Sequence, residues 1–172
     1  MRIIVISFVF SIIICFAGFF ITGNAKPMPV NRGMYFWKTH FYLGENEMEF
    51  LKKHHIEKLY VKIMDIDWSA IYGAYPITTT SLEKDLNKCD SLVEIVPVVF
   101  ITNESLLQTP ASEIDTLGSK IILKAGQLCG EYYQNLKELQ IDCDWTPKSK
   151  DRYFDLLQNI KHKLKGKQLS VT

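Results

Sequence analysis

Four times along this chain a short run of strand-forming residues is followed by a stretch with helical spacing. That alternation is the strongest constraint on how it folds. Residues 34–41 (Met-Tyr-Phe-Trp-Lys-Thr-His-Phe) read as a first strand, after which Met48, Leu51 and Ile56 fall at helical spacing. Residues 58–67 read as a second strand with a short helix over 81–91 behind it, and residues 94–101 as a third. A helix then starts between Ala111 and Lys120 and runs through Tyr133. Residues 139–146 form a fourth strand, residues 149–165 a helix closed by Gly166, and residues 168–172 begin a fifth strand. Strands that alternate with helices imply a parallel sheet joined by right-handed crossovers.

Two architectures satisfy that pattern, an open doubly wound sheet and a barrel. No GxGxxG or P-loop glycine pattern follows the first strand, so the nucleotide-binding open sheets lose their main signal. Every predicted strand instead ends on polar residues: Thr39 and His40, Asp65 and Asp67, Thr102 and Asn103, then Asp142, Asp144 and Thr146. In a β/α barrel the site is built from those carboxyl ends. The expected class is therefore α/β, a partial (β/α)8 TIM barrel of about four and a half β/α units. A sheet of four or five strands leaves its first and last edges unpaired, so self-association through those edges is expected.

The first 25 residues read as an address rather than as part of the fold. Met1-Arg2 is a short basic start, residues 3–21 carry no charge, and Gly23 and Ala25 supply small residues before a cleavage point at Lys26. The apolar run also approaches the ~20 residues that span a bilayer, so an uncleaved anchor is the alternative, and the membrane is touched only through residues 1–25 if they are retained. Both readings place residues 26–172 outside the cytoplasm, in the periplasm, the envelope or the medium. The net charge of +1 shows no basic stripe or acidic tail, which argues against a nucleic-acid partner. Cys89, Cys129 and Cys143 match no zinc or dense disulfide spacing and read as small buried residues. No cofactor and no metal site is expected.

The richest chemistry lies in Leu139-Gln-Ile-Asp-Cys-Asp-Trp-Thr146. Alternation sends Gln140, Asp142, Asp144 and Thr146 to one face and Leu139, Ile141, Cys143 and Trp145 to the other. Asp142 and Asp144 are the candidate catalytic pair, about 7 Å apart by strand rise. Trp37, His40, Lys62, Asp65, Asp67, Asn103 and Thr146 are candidate substrate-binding residues at the other strand ends. Each has a structural counterpart reading. Lys62, facing inward with Tyr60 and Met64, would neutralise Asp142 across the barrel. Asp65 or Asp67 would cap a turn. Of Trp37, Trp68 and Trp145, the last is the one most suited to packing under the helices. His40 stands without an HxH or HExxH partner.

Asp142-Cys-Asp144-Trp-Thr146 resembles the strand-four motif of family 18 chitinases, Asp-x-x-Asp-x-Asp-x-Glu. Asp142 and Asp144 match its second and third aspartates, whereas Leu139 replaces the first and Thr146 stands where the acid/base glutamate belongs. The runs 35–41, 59–68 and 98–103, together with 139–146, resemble an uncharacterised bacterial family of exported, glycosidase-like barrels across nearly all of residues 26–172. The resemblance implies carbohydrate as the partner. It covers the first half of such a barrel, and the replaced glutamate removes the proton donor on which chitinase chemistry depends. A non-catalytic carbohydrate-binding or envelope scaffold protein and an inactive truncated remnant are the competing expectations.

Overall fold

Strand 58–69 alternates buried Leu59, Val61 and Ile63 with half-buried Lys58, Tyr60 and Lys62, the signature of a strand with one face in a core and one in a polar environment. Strand 94–101 (Glu-Ile-Val-Pro-Val-Val-Phe-Ile) is apolar almost throughout and buried on both faces, as a central parallel strand must be. The computed structural model describes residues 31–82 and 93–172. The expected leader, Cys15, Cys89 and nearly all of the helix expected over 81–91 lie outside the described residues.

The described chain runs β1 (Gly33–Phe36), α1 (Glu45–Lys53), β2 (Lys58–Ser69), β3 (Gly73–Thr79), β4 (Glu94–Ile101), α2 (Asn103–Gln108), α3 (Ile114–Cys129), β5 (Glu138–Asp142), α4 (Lys150–Lys163) and β6 (Gln168–Val171). Short 3₁₀ turns flank α3 at Ala111–Glu113 and Gly130–Gln134. One sheet holds all six strands. Its spatial order is β1-β2-β4-β5-β6, and every neighbouring pair on that path is parallel. Chain order and spatial order coincide, with no reversal of the kind that creates a doubly wound crevice. The α/β reading stands in this form.

The helical side of the sheet carries the core. Val61, Ile63, Ile101, Leu139 and Ile141 from the strands meet Leu117, Ile121 and Ala125 of α3 and Tyr153, Leu156 and Ile160 of α4. Each buried Val, Ile or Leu side chain among them stabilises the fold by about 1.5–3 kcal/mol through removal from water. Helix α3 meets α4 at Gly118, where an added methyl group would rest in ordinary contact with Leu156, Asn159 and Ile160. Helix α4 ends through Gly166 at φ +91°, a left-handed conformation that lets the chain reverse into β6.

Three features differ from the expectation. First, β1 stops at Phe36, so Trp37, Thr39 and His40 lie in the loop that leads to α1. Second, β3 and α2 were not anticipated. β3 folds back antiparallel on residues 64–69 of β2, taking over the edge that β1 leaves after its pairing of Phe36 with Val61. Third, β2 is bulged against β4: Lys62 pairs with Val98 and Met64 with Val99, leaving Ile63 as the extra residue. The bulge overturns the expected inward direction of Met64, which is 1% exposed within the helical core, and it returns Asp65 to the face that carries Lys62.

Candidate functional site

The face opposite the helices is polar and layered, and its layers can be read along the strands from amino to carboxyl end. At the amino end Lys58 of β2 donates to Glu138 of β5 at 2.5 Å and lies 3.6 Å from Glu94 of β4. Glu138 is 4% exposed, so its charge is held by this contact rather than by water. The hydrogen bond to Glu138 raises the Lys58 pKa, outweighing the burial that lowers it. Burial, followed by the nearby Glu138 charge, also raises the Tyr60 hydroxyl pKa.

One layer higher, the Gln140 amide donates to the Tyr35 hydroxyl at 2.8 Å, and that hydroxyl lies 3.2 Å from the Gln140 carbonyl oxygen. Tyr35 belongs to β1 and Gln140 to β5, with β2 and β4 between them. Three strand spacings span about 14 Å in a flat sheet, and side chains stand roughly perpendicular to it. The contact therefore requires a sheet curled towards this face, and the Lys58–Glu138 pair spans β4 in the same sense. Tyr60 stacks on Tyr35 at 4.8 Å, and Val96, Val98 and Gln140 are sealed beneath at 0–1% exposure. Val96 and Val98 lie outside the helical core cluster, which places them in this second, concave interior.

Above that seal the face opens. Trp37 is 46% exposed and stacks on Tyr35 at 5.5 Å. The Lys62 ammonium lies 5.5 Å from the Trp37 ring centre and 2.9 Å from Asp65 Oδ2. The other oxygen, Asp65 Oδ1, is buried without a hydrogen-bond partner among the described residues, as is the Ser170 hydroxyl. Lys62 thus pairs with Asp65, which corrects the expected Lys62–Asp142 pair; the bulge at Ile63 produces that outcome by bringing Asp65 into phase. Asp142 instead accepts from the Thr172 hydroxyl.

The remaining strand ends form a hydrogen-bonded rim. Asp67 Oδ1 accepts from the Thr102 hydroxyl and from the Trp68 amide, both at 2.8 Å. Thr102 caps α2 by accepting from Ser105 N. The Ser149 hydroxyl, fully buried, donates to Asn103 Oδ1 at 2.5 Å and accepts from the Thr146 amide at 2.9 Å. The structure thus brings Asn103 and Thr146 together as braces between α2 and the loop before α4. Asp144 is exposed on that loop, in a tight turn closed by the Trp145 amide donating to the Cys143 carbonyl at 2.9 Å. Because β5 ends at Asp142, strict alternation does not extend to Asp144. Trp145 packs beside Tyr153 and Phe154 of α4, and His40 is exposed.

Tyr35, Lys58 and Glu138 of this face were not singled out by their sequence. Parity carried a signal for the first two, since Tyr35 shares a face with Trp37, and Lys58 with Lys62. The buried Cys129 and Cys143 have thiols pushed up to about 12 by burial, which leaves them unreactive near neutral pH. Among the described residues no group of three or more His, Cys, Asp or Glu side chains is arranged to hold a metal, and no helix is long and apolar enough to cross a membrane. Comparisons with family models, with curated proteins and with solved structures return no match to this chain.

Proposed function

We propose that this chain is one half of a glycosidase-like β/α barrel that binds carbohydrate at the carboxyl end of its concave face. The hydrogen bond between Tyr35 and Gln140 carries the reading, because it demands the inward curl that a closed barrel has and an open twisted sheet lacks. The unbroken order of five parallel strands supports it, as does a concave face filled at the amino end and open where barrel sites lie. An exposed indole beside a lysine, aspartates and hydroxyls suits a sugar ring, which offers an apolar face and a rim of hydroxyl groups.

Binding without hydrolysis is favoured by one observation. Thr146, which stands at the position of the chitinase acid, is committed to Asn103 and Ser149 and cannot supply a proton to a glycosidic oxygen. Export follows from residues 1–25 in this reading, and mass spectrometry of the secreted or envelope fraction should find a chain that begins at Lys26. Retention of Met1 in the membrane fraction would establish the anchor instead. Among the described residues β1 and β6 end the parallel path without a further partner, and it is there that a second copy would pair; sedimentation of the chain tests that association. For the binding reading, the chain should co-sediment with at least one of cellulose, chitin or peptidoglycan. Failure with all three and with their soluble oligomers would remove the carbohydrate assignment.

A further inference from the structure

Resting on the carbohydrate reading, we infer that the site takes uncharged sugars in preference to acidic ones, with Trp37 as the surface on which the ring packs. Among the described residues, register and strand parity place four charged side chains on the concave face, Lys62 level with Gln140 and Asp65, Asp67 and Asp142 beyond it. The one ammonium that the described residues place there, that of Lys62, is already matched to Asp65 at 2.9 Å. Asp67 is satisfied by an amide and a hydroxyl, and Asp142 by a hydroxyl, and among the described residues neither is paired with a cation. Among the described residues one positive charge stands against three negative ones, so the part of the face that they line is anionic. A sugar carboxylate or sulfate entering there would meet like charge from half-buried carboxylates, which is costly, whereas neutral hydroxyl groups can donate to the same oxygens.

The depth of the site follows from the layer below. Tyr35 and Gln140 close the concave face from β1 to β5, so a ring cannot descend beyond them, and Trp37 stands directly above Tyr35. Trp37 keeps 46% of its surface open on the concave side, whereas Trp145, 40% exposed, stands on the helical side against Tyr153 and Phe154 of α4. A ring seated on the Tyr35–Gln140 bar therefore has the Trp37 indole as its apolar wall, and the Lys62–Asp65 pair as its polar neighbour.

The test uses oligosaccharide pairs that differ only in charge, titrated calorimetrically into the full chain: β-1,4-linked glucose and glucuronic acid tetramers, and α-1,4-linked galactose and galacturonic acid tetramers. The neutral member of at least one pair should bind ten-fold or more tightly than its acidic counterpart. Trp37→Ala should weaken that binding at least ten-fold, Trp145→Ala should leave it unchanged, and Asp142→Asn should narrow the gap between neutral and acidic members. Trp37→Phe, which keeps a flat ring, should retain most of the affinity and so separates stacking from misfolding. An acidic tetramer that binds as tightly as its neutral counterpart, or a Trp37→Ala protein that binds as well as the parent, overturns this inference while leaving carbohydrate binding intact. Absence of binding by all four tetramers, together with the three polysaccharides, defeats the parent reading itself.

Discussion

Tyr35 and Gln140 lie 105 residues apart and are separated by two intervening strands, yet they share a hydrogen bond across the concave face of the sheet. The contact ties the edge strand β1 to β5 and caps the buried Val96 and Val98, so it fixes both the curvature and the floor of the open layer above. Lys58 and Glu138 repeat the chord nearer the amino end. Two braces at different heights hold the sheet in one curl.

The lower brace is the more costly to break. Lys58→Met should destabilise the fold by about 3–5 kcal/mol, because it strands the buried Glu138 carboxylate without a partner. Adding Glu138→Leu should recover much of that loss. Chemical denaturation of the three proteins measures it, and equal stability of Lys58→Met and the parent would show that water satisfies Glu138.

Ser149 should behave as a structural hub despite its small size. Ser149→Ala removes the donor to Asn103 and the acceptor for the Thr146 amide in a fully buried position, at a cost of about 1–3 kcal/mol. Asp144→Asn, in contrast, lies on an exposed loop and should change stability by no more than about 0.5 kcal/mol. Thermal denaturation of both variants distinguishes the braced rim from its exposed turn.

Stability should fall in alkali through the two buried thiols. Burial raises Cys129 and Cys143 from 9.0 to about 12, so the folded state retains protons that the unfolded chain releases. Their contribution is intact below pH 9 and is lost progressively as pH rises towards about 12. Lys58, also raised in the folded state, acts in the same direction from its ordinary value of 10.5 upwards. Replacing both cysteines with alanine should flatten the decline between pH 9 and pH 10.5. An unchanged profile would assign the alkaline loss elsewhere.

How much of this was legible depends on whether a residue's neighbours are close in sequence. The runs behind β2, β4 and β5 announce themselves, since Leu59, Val61 and Ile63, or Ile95 and Val99, mark buried strands through local pattern alone. β3 was hidden because Gly73 and Pro76 read as breakers, although the glycine makes the turn and the proline lies on the sheet's outer strand. The six-residue α2 is too short to show a period. At the site, Asp67, Asn103 and Thr146 were recognisable as strand-end polar residues, but their mutual bracing depends on tertiary contacts through Thr102 and Ser149. The Ile63 bulge was decisive and invisible: strict alternation separates Lys62 from Asp65, and the extra residue joins them.

A double-mutant cycle on Tyr35 and Gln140 tests the curled sheet most directly. Tyr35→Phe, Gln140→Leu and their combination, compared with the parent by denaturant unfolding, yield the energy with which the two side chains interact. A curled sheet predicts coupling of about 1 kcal/mol, the usual net worth of such a hydrogen bond. Additivity within about 0.3 kcal/mol would mean that the two side chains do not meet. The sheet would then be open and flat, and the concave site would not exist.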